Sequence, residues 1–78
     1  SAAEIRERMR DLLSAETAGS VLSDAEIARS LREAGVDIAR RTVAKYRGCL
    51  SIPSAPERRR RLARRDRLRE ATAAARPR

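Results

Sequence analysis

Apolar residues recur at helical spacing in three successive stretches of the first 50 residues. The first stretch places its large apolar side chains on one side of a helix with 3.6 residues per turn: Ile5, Met9, Leu12 and Leu13. Ser1 and Glu4 have the spacing of a capping box, in which each side chain accepts a hydrogen bond from the other residue's backbone N–H. These features predict a first helix over about residues 2–16, ended by Gly19 and Ser20.

The second stretch carries both a start and a stop signal for a helix. Ser23 and Glu26 repeat the capping-box pattern. Ile27 and Leu31 lie one turn apart and are expected to face the core. Gly35 is placed to adopt the left-handed conformation that ends many helices. The pattern predicts a second helix over about residues 24–34.

The third stretch predicts a helix over about residues 39–50, with Asp37 as the expected cap. Its narrow apolar side consists of Ala39, Val43, Tyr46 and Leu50. The basic residues fall outside this side, and residues 38–53 contain no acidic residue. A helix, a short turn with glycine and a second helix form a helix-turn-helix. We therefore predict an all-α fold for residues 1–53, a small three-helix bundle containing a helix-turn-helix.

Residues 54–78 differ from the rest of the chain in composition. They contain 10 Arg and 3 acidic residues, and their only large apolar residues are Leu62 and Leu68. Because like charges repel and little surface can be buried, we predict a flexible basic tail that is mostly disordered or a fraying helix. Such a segment attracts polyanions without regard to their sequence.

Composition narrows the classes of function. The 78 residues include 19 Lys and Arg against 11 Asp and Glu, with no His and one Cys, for a net charge of +8. Without His, the commonest metal ligand and general base is missing, and one Cys cannot form a disulfide framework or a thiolate-rich zinc site. We therefore expect no enzyme, no cofactor and no metal site. No apolar run approaches the ~18 residues that span a bilayer, so we expect no membrane contact.

The basic start of the third helix is the candidate binding site. In a helix-turn-helix, the second helix of the pair enters the major groove and offers its first residues to the base edges. Here those residues are Arg40, Arg41, Thr42 and Lys45. Arginine suits this position because its two N–H groups can bond guanine O6 and N7 together.

Residues 39–47 read ARRTVAKYR, which resembles the RpoN box of the bacterial sigma-54 (RpoN) transcription factors. The flanking residues agree: Leu22-Ser23-Asp24, Gly35, Ile38, residues 50–54 and Arg58. The resemblance extends over about residues 1–60 and corresponds to the family's C-terminal DNA-binding domain. Because the chain begins with Ser1 and contains neither of the family's other two regions, we expect it to be a piece of a longer protein.

The resemblance implies a function and a set of contacts. It implies recognition of the GG-containing −24 promoter element in double-stranded DNA, with the box helix in the major groove. Carried over by position, Arg40 and Arg41 read bases, Lys45 and Arg47 support through phosphate or further base contacts, and Thr42 contacts the backbone. It also implies contact with core RNA polymerase through the parent protein and a place in the bacterial cytoplasm, on the nucleoid. The isolated domain is expected to be a monomer.

Two features depart from the family pattern, and an alternative function also stays open. Gly48 and Cys49 follow the box where an acidic residue is common, and about 18 residues extend beyond the resemblance. The alternative is a non-specific nucleic-acid-binding module driven by the Arg-rich tail, with similar affinity for scrambled DNA. Protein docking on the acidic surface of the first two helices also stays open.

Overall fold

The computed structural model describes residues 1–77, and Arg78, the end of the predicted tail, lies outside the described residues. Four helices follow one another along the chain: α1 (Ala2–Ser14), α2 (Asp24–Glu33), α3 (Arg40–Cys49) and α4 (Ala55–Ala74). The only β-type pairing within the described residues is an isolated bridge between Thr17 and Ser20. The predicted all-α class with a helix-turn-helix is confirmed.

Capping hydrogen bonds are present at the predicted starts of the first two helices. The Glu4 N–H donates to Ser1 Oγ at 3.3 Å. At α2 the box is complete, since the Glu26 N–H donates to Ser23 Oγ at 3.1 Å and the Ser23 N–H to Glu26 Oε1 at 3.0 Å. The hydrogen bonds from the Ser23 backbone and hydroxyl hold the pKa of the Glu26 carboxyl below its usual value.

Two helix boundaries differ from the sequence prediction. The cap of α3 is Ala39 and not Asp37, because the chain stays non-helical from Val36 to Ala39 and Asp37 lies too far from the first turn. This longer turn is held by Arg32, whose Nη1 donates to the Ile38 carbonyl at 3.0 Å. α1 ends at Ser14, so that Glu16 leaves the helix and becomes buried.

The predicted stop at Gly35 is confirmed, and the same turn recurs at the end of α3. Gly35 has φ +89°, and the Val36 N–H donates to the Leu31 carbonyl at 2.9 Å. At the end of α3, Ser51 takes the left-handed position with φ 55°, and the Ile52 N–H donates to the Arg47 carbonyl at 2.9 Å. Both helices of the helix-turn-helix thus end in the same hydrogen-bonded turn.

The core lies where α1, α2 and α3 meet. Its buried side chains are Met9, Ile27, Ala28, Leu31, Ile38 and Val43. Tyr46 and Leu22 are among the half-buried side chains that pack against it. The core therefore fixes one side of α3 and leaves its other sides to solvent.

Where the sequence predicts a tail that is mostly disordered or a fraying helix, the structure has a continuous helix of 20 residues, Ala55–Ala74. Ser54 caps the helix by accepting from the Glu57 N–H at 3.4 Å, and Arg, Ala and Leu are strong helix formers. At the start of the helix, repulsion between arginines is reduced because Glu57 pairs with Arg60 and Arg61 one turn away. From Arg67 to Ala74 every side chain is exposed, and the molecule measures 53 × 19 × 19 Å.

In the part of the chain that the structure describes, none of the helices combines the length and apolar content required to cross a membrane.

Candidate nucleic-acid interface

The first turns of α3 bring four of the five predicted contact residues together on the surface. Arg40, Arg41, Thr42 and Lys45 are all exposed. Val43 in their midst is completely buried. Arg41 and Lys45 lie two residues before and after Val43, about 200° around the helix from it, so the buried valine turns both cations towards solvent.

These cations form no ion pair with an acidic side chain of the described residues. Among residues 1–77, no carboxylate lies within ion-pair distance of Arg40, Arg41 or Lys45. The first turn of α3 contains no acidic residue, so the positive end of the helix dipole adds to their field. This end of α3 is therefore a surface of concentrated positive potential.

An open groove separates the start of α3 from the start of α2. Its lining consists of Ser23, Asp24, Ala25, Arg40, Arg41 and Ala44. The starts of α2 and α3 are thus neighbours in the structure. The groove thus contains two arginines and the Asp24 carboxylate, which is paired with Arg47.

The structure places Arg47, the fifth predicted contact residue, apart from the other four. Its guanidinium donates to both carboxylate oxygens of Asp24, from Nε at 3.0 Å and from Nη2 at 3.1 Å. Nη1 donates to the Ile52 carbonyl at 3.3 Å. Only 21% of the Arg47 side chain and 25% of the Asp24 side chain are exposed. Arg47 therefore joins α3 to α2 and fixes the orientation of α3 relative to α2.

A double-mutant cycle measures the interaction energy between Arg47 and Asp24. We expect Arg47→Ala and Asp24→Ala each to lower the free energy of unfolding by about 1–2 kcal/mol, because a bidentate hydrogen bond between charged groups is lost from a largely shielded place. In the double variant the losses should overlap, with a coupling energy of about 1 kcal/mol in urea unfolding. The exposed pair of Arg8 and Glu4 is the control, with expected coupling below about 0.5 kcal/mol. Additive losses at Arg47 and Asp24 would contradict the positioning role.

Sequence reasoning missed a buried ion pair that anchors α4. Arg58 donates to both carboxylate oxygens of Glu16, from Nε at 2.8 Å and from Nη2 at 3.1 Å, and the two side chains are only 8% and 3% exposed. Arg58 also donates to the carbonyls of Leu22 at 2.6 Å and Pro53 at 2.8 Å. Glu16 in turn accepts from the Leu22 N–H at 2.8 Å. The network fixes the loop before α2, and with it the start of the helix-turn-helix.

Spacing gives no signal for this pair, because Glu16 and Arg58 are 42 positions apart. The feature of the sequence that singles out Arg58 is its agreement with the residues that follow the RpoN box in the family. Within residues 1–77, no group of three Cys or acidic side chains comes together in a way that could hold a metal ion. Cys49 is exposed and is a free thiol.

Comparison with known proteins agrees with the resemblance of residues 39–47 to the RpoN box. The family model of the sigma-54 DNA-binding domain matches residues 1–60. An RNA polymerase sigma-54 factor of Rhizobium meliloti (strain 1021) is 57% identical over 60 residues, which is 77% of this chain and 12% of that protein. The factor of Sinorhizobium fredii is also 57% identical over 60 residues, with the same two shares.

A sigma-54 factor of Caulobacter vibrioides is 54% identical over 61 residues, again 77% of this chain and 12% of its own length. The chain thus spans about one eighth of the length of these relatives. No solved structure matches it. The matched residues comprise α1, α2, α3 and the anchored first turn of α4. The chain belongs to the family of sigma-54 DNA-binding domains.

Proposed function

We propose that this domain binds promoter DNA sequence-specifically, reading the GG dinucleotide of the −24 element with α3 in the major groove. The observation that supports the proposal best is the exposure of Arg40, Arg41, Thr42 and Lys45 on the second helix of the helix-turn-helix. Arg41 and Lys45 lie on the side of α3 away from the buried Val43, and Arg40 and Arg41 line the groove beside the start of α2. The activity is binding alone, in which phosphate contacts set the register and base contacts select the sequence.

The side chains divide between these two tasks by their chemistry. Arg40 and Arg41 are the base readers, because a guanidinium can bond O6 and N7 of one guanine together. Lys45, a point charge one turn further along, and the Thr42 hydroxyl suit phosphate oxygens. Arg47 acts through Asp24 by holding α3 at the angle that presents the other four.

The proposal extends to the longer protein to which such a domain belongs. We propose that the domain works within a sigma-54 transcription initiation factor, which contacts core RNA polymerase through its other regions. The site of action would then be the bacterial nucleoid in the cytoplasm. The domain itself would bind as a monomer, since one α3 can cover the GG dinucleotide.

Titration of the unmodified chain with two duplexes tests the function. One labelled duplex contains the GG element, and the other has the same composition with the GG scrambled. Since each mismatched base pair costs about 1–3 kcal/mol, two mismatches should weaken binding by about 30-fold or more in fluorescence anisotropy. Equal affinity for both duplexes would reject sequence-specific reading. That outcome would favour the alternative, a non-specific module driven by the arginines of α4.

A further inference from the structure

One side of α4 carries a row of arginines that the recognition surface does not use. Arg60, Arg64 and Arg67 follow one another at spacings of four and three residues, so they share one side of the helix. All three are exposed, and they line a shallow groove along the helix together with Glu57, Arg61 and Ala63. We call Arg60, Arg64 and Arg67 the α4 arginine stripe.

The buried Arg58 gives this stripe a fixed starting point. Because Arg58 is bound to Glu16 and to the carbonyls of Leu22 and Pro53, the first turn of α4 cannot swing freely. Leu22 directly precedes Ser23, which lines the groove beside Arg40 and Arg41. The arginine helix therefore starts next to the surface that we propose to bind DNA.

The charge of α4 is largely uncompensated. Residues 59–77 contain eight arginines and two acidic residues. Glu57 accepts hydrogen bonds from Arg60 and Arg61, and the Arg60 guanidinium lowers the pKa of the Glu57 carboxyl. Arg64 and Arg67 have no acidic partner within residues 1–77. Like charges one turn apart disfavour a helix, and a polyanion along the stripe would relieve this repulsion.

We propose that the α4 arginine stripe binds the phosphate backbone of duplex DNA beside the element that α3 reads. The inference rests on the proposed function for its choice of duplex DNA as the partner. From Arg60 to Arg67 the helix rises about 10 Å, a length of duplex that carries about six phosphate charges. Each guanidinium can donate two parallel hydrogen bonds to one phosphate group. Three arginines at this spacing can therefore contact several phosphates of a DNA backbone, whereas a single small anion could reach only one or two of them.

Two triple variants of the full chain test the stripe. The stripe variant is Arg60→Gln, Arg64→Gln and Arg67→Gln, and the control is Arg59→Gln, Arg65→Gln and Arg69→Gln. Both remove three positive charges, and Gln retains helix propensity close to that of Arg, which circular dichroism verifies. Anisotropy titrations over a range of salt concentrations use a duplex with the GG element and about 10 flanking base pairs on each side.

We expect the slope of log K against log[salt] to become shallower by about 2–3 in the stripe variant, since each phosphate contact contributes about 0.9. The control should change the slope by less than half as much. Removing the flanking base pairs on one side should weaken binding by the unmodified chain and bring its affinity close to that of the stripe variant.

Three outcomes would overturn the stripe proposal: an unchanged slope in the stripe variant, equal changes in both variants, or tighter stripe-dependent binding of a single-stranded RNA of the same length. The ratio of affinities for GG and scrambled duplexes is recorded in the same titrations and should stay at the wild-type value in both variants. A ratio near one in the unmodified chain would reject the proposed function, whereas the salt slopes of the two variants and the comparison with RNA decide the stripe.

Discussion

Replacing Arg58 by Met is expected to lower the free energy of unfolding by about 3–5 kcal/mol, the largest stability effect that we predict for this chain. The Arg58 side chain is 8% exposed and the Glu16 carboxylate 3% exposed, so the variant leaves a negative charge buried without its partner. The carbonyls of Leu22 and Pro53 lose a donor as well. Since a domain of this size is stable by only about 4–12 kcal/mol, a large part of its stability would be lost. Urea unfolding followed by circular dichroism measures the change.

Two further variants separate the buried charge from the loss of packing. In the double variant Arg58→Met with Glu16→Gln, no charge is left buried, and the amide oxygen can still accept from the Leu22 N–H. This double variant should therefore be more stable than Arg58→Met alone. The neighbouring exposed residue gives the control, since Arg59→Met should change stability by no more than about 0.5 kcal/mol. Equal stability of Arg58→Met and Arg59→Met would show that the network does not hold the fold.

The features of the fold that could be predicted from the sequence depend on neighbours within one helical turn. The capping box of Ser23 and Glu26 and the left-handed turn at Gly35 are local, and both are present. The burial of Val43 follows equally from spacing along one helix. Such features need no knowledge of how the helices pack.

The features that could not be predicted depend on residues far apart in the chain. Arg47 meets Asp24 across 23 positions, and Arg58 meets Glu16 across 42. In a sequence, each of these arginines looks like another exposed cation, because composition does not reveal a buried partner. On sequence alone Arg47 is therefore predicted to contact DNA, which stays a prediction, and Arg58 falls within the predicted flexible tail. Arg40, Arg41, Thr42 and Lys45 are exposed as expected, and their contact with DNA stays a prediction.

The net charge of the chain does not show which arginines are paired within the protein and which are exposed. Of the arginines after residue 46, Arg47 and Arg58 are used within the protein to set helix geometry. The exposed arginines of α3 and of α4 are the ones that can reach a partner. We expect the first group to govern stability, α3 to govern sequence preference and α4 to govern salt dependence.

Substitution of Arg41 by Ala is expected to reduce the preference for the GG duplex by about 10-fold to 100-fold, because one bidentate contact to guanine discriminates by about 1–3 kcal/mol. Arg40→Ala should act in the same direction. Neither change should lower stability, since both side chains are exposed and Ala favours a helix. Competition anisotropy with GG and scrambled duplexes at one salt concentration measures the ratio directly.

The matched control for this experiment is Arg29→Ala, which removes the same charge from the exposed side of α2. If Arg41 reads a base, its loss must weaken binding to the GG duplex far more than binding to the scrambled duplex. Loss of a positive charge that reads no base, as in Arg29→Ala, should leave the ratio of the two affinities unchanged. The ratio of affinities, and not the affinity itself, therefore distinguishes a reading arginine from an attracting one. Wild-type ratios in both Arg40→Ala and Arg41→Ala would show that neither residue reads the GG dinucleotide.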